Sequence, residues 1–409
     1  MPNVINTAQV FAQEAAAIIE ESCPFLMGIN RSREKEFDKT VNGYQVGDDV
    51  SITIPGISRI YDGNVLAEGG QIDSWKERKV SLKVDNHVHA AFQSSHVENV
   101  FKLDASDPRR RDYVDRIFKP QIQTLCSTIE ARLIKNAVMK TPYLVGTPGT
   151  VPNSIRTLNQ ARAKLQKALA PEGNRSGLIS TDLNLELVDT SKALFNPGKQ
   201  VSEQYRETNL GRASGADWDE VINLPTLYNG NKVAGVIISG ASQTGETLVF
   251  GGLANGDTFK AGQVFTIAGV FKTHPLTGEL MRDLQQFVVL ADVMASATTA
   301  QVSIYPSLTP AMPNKTVNAS PANGAVVNFY GGAEQGFVQN LLFQESAFTA
   351  AFVPAKIVTP KEFGYSYSSK GVRFTVQSAG DFKDLSTATR IDLMWGFTRV
   401  RDFACRITE

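Results

Sequence analysis

The chain has 409 residues, 42% of them hydrophobic, which suffices for two or three domains with substantial cores. Lys and Arg together number 41, and Asp and Glu also number 41, so the formal net charge is zero. A chain without net charge creates no strong overall field toward nucleic acid, and identical copies of it can approach one another closely.

The cysteines and the first residues bear on the cellular compartment. Cys23, Cys126 and Cys405 are odd in number and form no CxxC pair, which predicts reduced, mostly buried thiols in a cytoplasmic product. The N-terminal segment lacks a basic region and ends in acidic residues, so we expect no signal peptide. No run approaches the roughly 18 apolar residues that a membrane span needs, and we expect no membrane anchor.

An arm and a long loop come before the first large helix. Residues 6–22 predict an amphipathic helix, and the charged residues 30–39 after it bury little, so this helix is expected to act as an arm. Alternating apolar residues predict strands at Val50–Ile54 and Val80–Val84. The segment Pro55–Arg78 between them is too long for a tight turn and predicts a projecting loop, stable only when something packs against it.

The longest helical signal runs from Asp107 to Met139. Its apolar residues recur every three to five positions, as one stripe of an α-helix requires. Asp107–Pro108 is a favourable helix start, whereas Pro120 predicts a bend or break between two segments. We call this element the spine helix, and its predicted core stripe includes Phe118, Ile122, Leu125, Ile129 and Leu133.

An α/β layer is predicted after the spine helix. The apolar stripe of Ile155, Leu158 and Leu165 indicates a helix over residues 153–170. A short buried strand is expected at 177–181, followed by a helix over 182–195 that ends at Asn196–Pro197.

The character of the sequence changes at Val233. From there to Tyr305, short β-branched runs separated by Gly, Asn, Asp and Thr predict a small barrel or sandwich, with residues 309–324 as its exit linker. Beyond it we expect a helix at Asn340–Phe352 and strands at 371–377 and 389–407. The apolar run Leu393–Phe397 predicts a central strand buried on both faces.

Few residues suggest chemistry. His87 and His89 share one face of a strand-like segment and could offer two metal ligands, with His96 nearby, but acidic residues at ligand spacing are lacking. Arg109, Arg110 and Arg111 point in different directions on a helix, so salt bridges are favoured over a single phosphate-binding face. Nucleotide-binding, hydrolase and metalloprotease motifs are missing from the sequence. We therefore predict no catalytic residue, no metal site and no cofactor.

The order of these parts resembles the major capsid proteins of tailed bacteriophages, which have the Hong Kong 97 fold. Within that family it is similar to the coat proteins of short-tailed enterobacterial phages with an inserted β domain. The passages that carry the resemblance are the loop Pro55–Arg78, the spine helix, LGRASGADWDEVINLPTLYNG at 210–230, NLLFQESAFTAAFVP at 340–354 and RIDLMWGFTRVRDFACRI at 390–407.

The resemblance implies an α+β, Hong Kong 97-like capsid fold with an inserted all-β domain. The implied parts are an arm (1–40), strands and an extended loop (41–100, tip about 56–78), spine helix with peripheral and first axial parts (101–225), the insertion (226–315) and the remaining axial and peripheral parts (316–409).

The implied function is an icosahedral shell, maturing from a procapsid, around the double-stranded DNA of a tailed phage. Copies would form hexamers and pentamers in the host cytoplasm with a scaffolding protein and a portal, binding packaged DNA weakly and non-specifically. Loop residues expected to contact the neighbouring subunit are Asp62, Glu68, Asp73, Lys76, Glu77 and Arg78.

Three other functions remain open from the sequence. An encapsulin-like nanocompartment shell shares the fold, and a tail or baseplate protein would form rings or tubes. An enzyme is also conceivable, although only the His87-Val88-His89 segment supports it.

Overall fold

The computed structural model describes residues 18, 23–32, 49–56, 77–95, 119–191, 210–312, 314–356, 363–369, 371–381 and 386–409. The predicted arm helix, the tip of the extended loop, the start of the spine helix and the three successive arginines lie outside these residues, apart from Ile18 of the arm. Contacts divide the chain into two compact units. The first combines residues 1–53, 79–133 and 348–400, and the second combines 54–78, 134–347 and 401–409.

The helices in the described residues are α1 (Pro24–Gly28), α2 (Lys119–Met139), α3 (Ile155–Lys167) and α4 (Thr181–Ser191). The strands are β1 (Asp49–Ile54), β2 (Arg78–Ser95), β3 (Leu144–Val145), β4 (Arg175–Ile179), β5 (Gly211–Ala213), β6 (Ala216–Glu220), β7 (Thr226–Tyr228), β8 (Ile237–Ile238), β9 (Gly245–Gly251), β10 (Thr258–Phe259), β11 (Val264–Thr273), β12 (Leu280–Val289), β13 (Val293–Met294), β14 (Thr299–Leu308), β15 (Val327–Phe329), β16 (Gly336–Gln344), β17 (Phe348–Val353), β18 (Phe363–Ser369), β19 (Val372–Asp381), β20 (Ser386–Arg399) and β21 (Ala404–Thr408). This mixture confirms the predicted α+β class.

The first unit is built on a sheet in the order β1-β2-β20-β19-β18, with β17 also paired to β20. Strand β20 is central because β2, β19 and β17 all pair with it antiparallel. Its residues Ile391 to Phe397 are buried without interruption, as the apolar run predicted. Phe348 and Phe397 stack at 5.6 Å between ring centroids, and Phe25 of α1 packs at 6.1 Å from Phe348.

Helix α2 carries the described part of the spine helix. Pro120 is its second residue, so its missing N–H costs the helix no internal hydrogen bond there. The helix continues from Pro120 to Met139 in one piece. A bend between α2 and residues before Lys119 would lie outside the described residues.

The second unit contains a sheet in the order β3-β21-β16-β4-β6-β5, with β7 also paired to β16. Helix α3 packs against β21 and buries Leu158, Ala161 and Leu165, while the Ser154 hydroxyl caps its start by accepting the Arg156 N–H at 3.2 Å. Gly177 in β4 has no side chain because an added Cβ would collide with the ring of the buried Trp218. Both predicted helices of this layer and its strand are therefore present in the second unit.

Strands β15-β11-β12-β14-β9-β8 form a second antiparallel sheet of this unit. Ile238 N–H donates to the Ala325 carbonyl and Val327 N–H to the Val236 carbonyl, both at 2.9 Å, so the two edges of the sheet meet and close a barrel. Phenylalanines fill its core, with Phe250 and Phe265 at 5.4 Å and Phe259 and Phe329 at 5.5 Å between ring centroids. The barrel continues to Phe329, so residue 315, the predicted end of the insertion, lies between two of its strands.

The helix predicted at Asn340–Phe352 is wrong. Residues in this range belong to strands β16 and β17, separated by a short 3-10 turn at Glu345–Ala347. Apolar residues fill both faces of each strand, and a run buried on all sides has no period that distinguishes a strand from a helix. The pairing of β16 with β4 and β21, and of β17 with β20, determines the strand conformation.

All three cysteines are free thiols in buried positions, as predicted. Within the described residues, no helix combines the length and the apolar character needed to cross a membrane.

Candidate functional site

The predicted contact residues of the extended loop fall mostly outside the described residues. Asp62, Glu68, Asp73 and Lys76 are not described. Glu77 and Arg78 are exposed where β2 begins. Their role in contacts between subunits stays a prediction.

The predicted core stripe of the spine helix is described from Ile122 onward. Ile122, Leu125, Ile129 and Leu133 are each at most 6% exposed, whereas Phe118 lies outside the described residues. The buried Glu130 on the same helix accepts the backbone N–H of Phe25 at 3.1 Å, which fixes the short helix α1 beside it.

The histidine pair considered as a metal site is occupied by a different interaction. His87 Nε2 lies 2.8 Å from Oδ1 of Asp392, a carboxylate that is 1% exposed. Arg390 also donates to this carboxylate at 2.6 Å and 2.7 Å, and Gln377 donates to its other oxygen at 3.1 Å. The described residues contain no cluster of three or more His, Cys, Asp or Glu able to hold a metal. The carboxylate thus links β2, β19 and β20 across the first unit's sheet.

The second unit has a polar junction where the barrel packs on the sheet of β21 and β16. Gln286 of β12 accepts the Leu144 N–H at 3.2 Å and donates to the Leu144 carbonyl at 3.0 Å and to the Tyr330 hydroxyl at 2.9 Å. One barrel side chain therefore satisfies both backbone groups of a buried residue in β3. Val264 and Val288 pack on Leu144 and exclude water around these bonds.

Two further pairs cross this junction. The Lys272 ammonium of β11 donates to the Tyr143 hydroxyl at 2.8 Å, and burial lowers the pKa of Lys272 to about 8. Burial raises the pKa of Tyr143 well above its ordinary value, so the phenol stays neutral. The Tyr305 hydroxyl donates to Asp402 at 2.5 Å. Removing one member of such a pair leaves a buried polar group unsatisfied.

Arg406 of β21 completes the junction. Its side chain is 1% exposed, and Nη1 donates to the Gly262 carbonyl at 2.8 Å in the turn before β11. Gly262 has φ +90°, and an added Cβ would lie 2.7 Å from Cδ1 of Leu227, so both the backbone conformation and the close approach require glycine.

Sequence reasoning did not identify the junction residues. Each is a lone polar residue within an apolar strand: Lys272 in VFTIAGVFKT, Gln286 in LQQFVV and Arg406 in ACRIT. A buried polar residue needs a partner, so such interruptions indicate packing against a second polar surface. The identity of that surface depends on the folded chain.

Comparison with known families gives one match, over residues 226–404, to the family model of P22 coat protein, gene protein 5. The matched segment includes the barrel strands and the return through β16, β17 and β20. No curated protein matches the chain in sequence.

The chain is also similar to solved structures. It is 11% identical to that of Mycobacterium phage Che8 (TM-score 0.45, 94% of this chain and 90% of that chain) and 11% identical to the capsid of Ralstonia phage GP4 (TM-score 0.44, 90% and 85%). It is 24% identical to the CUS-3 coat protein I-domain (TM-score 0.19, 24% of this chain and 96% of that chain). These TM-scores are below 0.5, so the assignment of the chain rests on the family match.

Proposed function

We propose how copies of this chain, which is a major capsid protein of a tailed bacteriophage by the match of residues 226–404, build their shell. The protein assembles with copies of itself, is a component of the virion and is not an enzyme. The proposal concerns the contacts and partners that this assembly uses.

The extended loop is the proposed contact between neighbouring subunits. Strand β2 has 18 residues and β1 has 6, so the backbone leading out of the loop is pre-formed over roughly 60 Å at about 3.3 Å per residue. Residues 56–78 lie over the adjacent subunit, where Asp62, Glu68, Asp73, Lys76, Glu77 and Arg78 form charge pairs. A single exposed pair contributes only about 0 to 1 kcal/mol, so the shell is stabilised by many repeats of the same contact.

The other parts follow the Hong Kong 97-like plan. Residues 1–40 form an arm, the spine helix supports the peripheral part, and the barrel is an insertion that stabilises the subunit and helps to set shell curvature. Its closed phenylalanine core and its polar junction with the β21 sheet support this role.

The proposed partners are a scaffolding protein and a portal, with assembly of hexamers and pentamers in the host cytoplasm before maturation. Packaged DNA is contacted weakly and without sequence preference. The zero net charge supports this, since strong DNA binding depends on an excess of Lys and Arg near phosphates.

Reversing two loop charges, Glu68→Lys together with Asp73→Lys, is expected to hinder assembly because favourable pairs become repulsive at every repeat of the contact. The subunit itself should fold, so its far-UV circular dichroism spectrum should not change. Shell yield is measured by sedimentation and light scattering. The neutral pair Glu68→Gln with Asp73→Asn is the matched control and should give an intermediate yield. Normal shells from the charge-reversed protein would refute the loop contact.

A further inference from the structure

A cavity lies beside the buried arginine at the junction. Its empty volume is about 310 Å³, part of it open to solvent. It is lined by β7, the turn before β11, β16 and β21, and the lining residues include Gln263, Gln339, Tyr330 and Arg406. None of the lining residues is acidic.

Arg406 brings a positive charge to this cavity without a carboxylate partner among the residues lining it. Only Nη1 has an acceptor, the Gly262 carbonyl, while Nε and Nη2 are buried and have no hydrogen-bond partner within the described residues. Burial lowers the pKa of Arg406 to about 9, so the guanidinium is still charged at neutral pH. An unpaired buried cation is costly and strongly favours an anion within reach.

Gln263 adds a second unpaired donor. Its side-chain oxygen accepts the Lys260 N–H at 2.6 Å, which fixes the orientation of the amide, and its Nε2 is buried without a partner in the described residues. Gln263 directly follows Gly262, whose carbonyl binds Arg406, so both side chains belong to the same wall of the cavity.

Gln339 supplies one unpaired acceptor. Its Nε2 donates to the Phe337 carbonyl at 3.3 Å and to the Thr408 hydroxyl at 3.1 Å, and its Oε1 is buried without a partner among the residues described. A water molecule in the cavity can donate to this oxygen and at the same time to an anion beside it.

We propose that this cavity binds a small planar oxyanion of the carboxylate type, held by Arg406 and Gln263. Nε and Nη2 form one edge of the guanidinium, and two parallel N–H groups on that edge match the two oxygens of a carboxylate. The bound anion neutralises Arg406 and connects β21 to the turn that begins β11. Occupancy thereby strengthens the attachment of the barrel to the β21 sheet.

Formate is the probe for this site, because it is the smallest carboxylate. Thermal unfolding of the full-length protein as unassembled subunits is followed while sodium formate replaces sodium chloride at constant ionic strength. A specific site gives a midpoint that rises and saturates with formate, since a ligand that binds the folded state stabilises it by mass action. The response is checked by saturation transfer from protein protons to the formate proton in nuclear magnetic resonance.

Three variants distinguish the site from a general salt effect. Gln263→Leu should raise the formate concentration for half-saturation roughly tenfold, the loss of one hydrogen bond to a charged group. Gln263→Glu keeps the acceptor for Lys260 and places a carboxylate beside Arg406, so formate dependence and saturation transfer should disappear. Gln301→Leu, at an exposed glutamine of β14, should respond like the wild type. An equal response in all variants, or one that never saturates, overturns the proposal. If Gln263→Glu does not fold, Gln263→Leu and the saturation transfer still decide it.

Discussion

Replacing residues 231–329 by a short Gly/Ser bridge is expected to abolish shell formation, because it removes the barrel together with half of the polar junction. Leu144 loses both hydrogen bonds to Gln286, and Asp402 loses the Tyr305 hydroxyl. Each buried polar group left unsatisfied costs about 1 to 3 kcal/mol, against a total stability of about 5 to 15 kcal/mol for a typical domain. The ends can be joined, since Asn229 donates to the Tyr330 carbonyl at 2.9 Å.

The measurement is the yield and diameter of shells by electron microscopy, with solubility and circular dichroism of the subunit. Gln286→Leu is a milder companion variant, which keeps the barrel and breaks only one clamp, so it should lower the unfolding midpoint without removing the fold. Glu246→Ala, at an exposed position of β9, serves as the control. Shells of normal size and yield from the deleted chain would mean that the barrel is decoration.

Truncation of the spine helix core is the second large effect that we expect. Leu125→Ala and Ile129→Ala each remove a side chain that is at most 6% exposed, and burial of this kind predicts a loss of about 2 to 5 kcal/mol. Urea unfolding of the subunit, followed by circular dichroism, measures the loss. Gln123→Ala on the exposed face of α2 should change stability by less than about 0.5 kcal/mol. A comparably small loss for Leu125 and Ile129 would contradict the assignment of the stripe to the core.

Elements with a clear period or a clear boundary were predictable from the sequence. The stripe of α3 gave a helix within three residues of its ends, and the run Leu393–Phe397 gave the central strand β20. In both cases local propensity and burial point to the same structure, so little depends on distant partners.

Elements determined by distant pairing were not predictable. Strands β16 and β17 are buried on both faces, so their sequence shows neither a strand nor a helix period, and only pairing with β4, β21 and β20 decides their structure. The end of the barrel was placed too early because β15 follows a Pro- and Gly-rich passage typical of a linker, yet pairs back onto β11.

The junction residues illustrate the same limit at the level of function. Lys272, Gln286 and Arg406 are visible in the sequence as polar interruptions, but Tyr143, Leu144 and Gly262, which they contact, lie more than a hundred residues away. The coat-protein function was predictable for a different reason, since it follows from the order of parts along the chain and needs no single contact.

Assembly itself is the most direct test of a coat protein that builds its shell through the extended loop and the inserted barrel. The full-length chain would be expressed alone and together with a candidate scaffolding protein, and both products observed by negative-stain electron microscopy with light scattering. We predict closed polyhedral shells, uniform in size when scaffold is present. A well-behaved monomer or dimer under both conditions would contradict the account, because the elements assigned to contacts between subunits would then pack on their own chain.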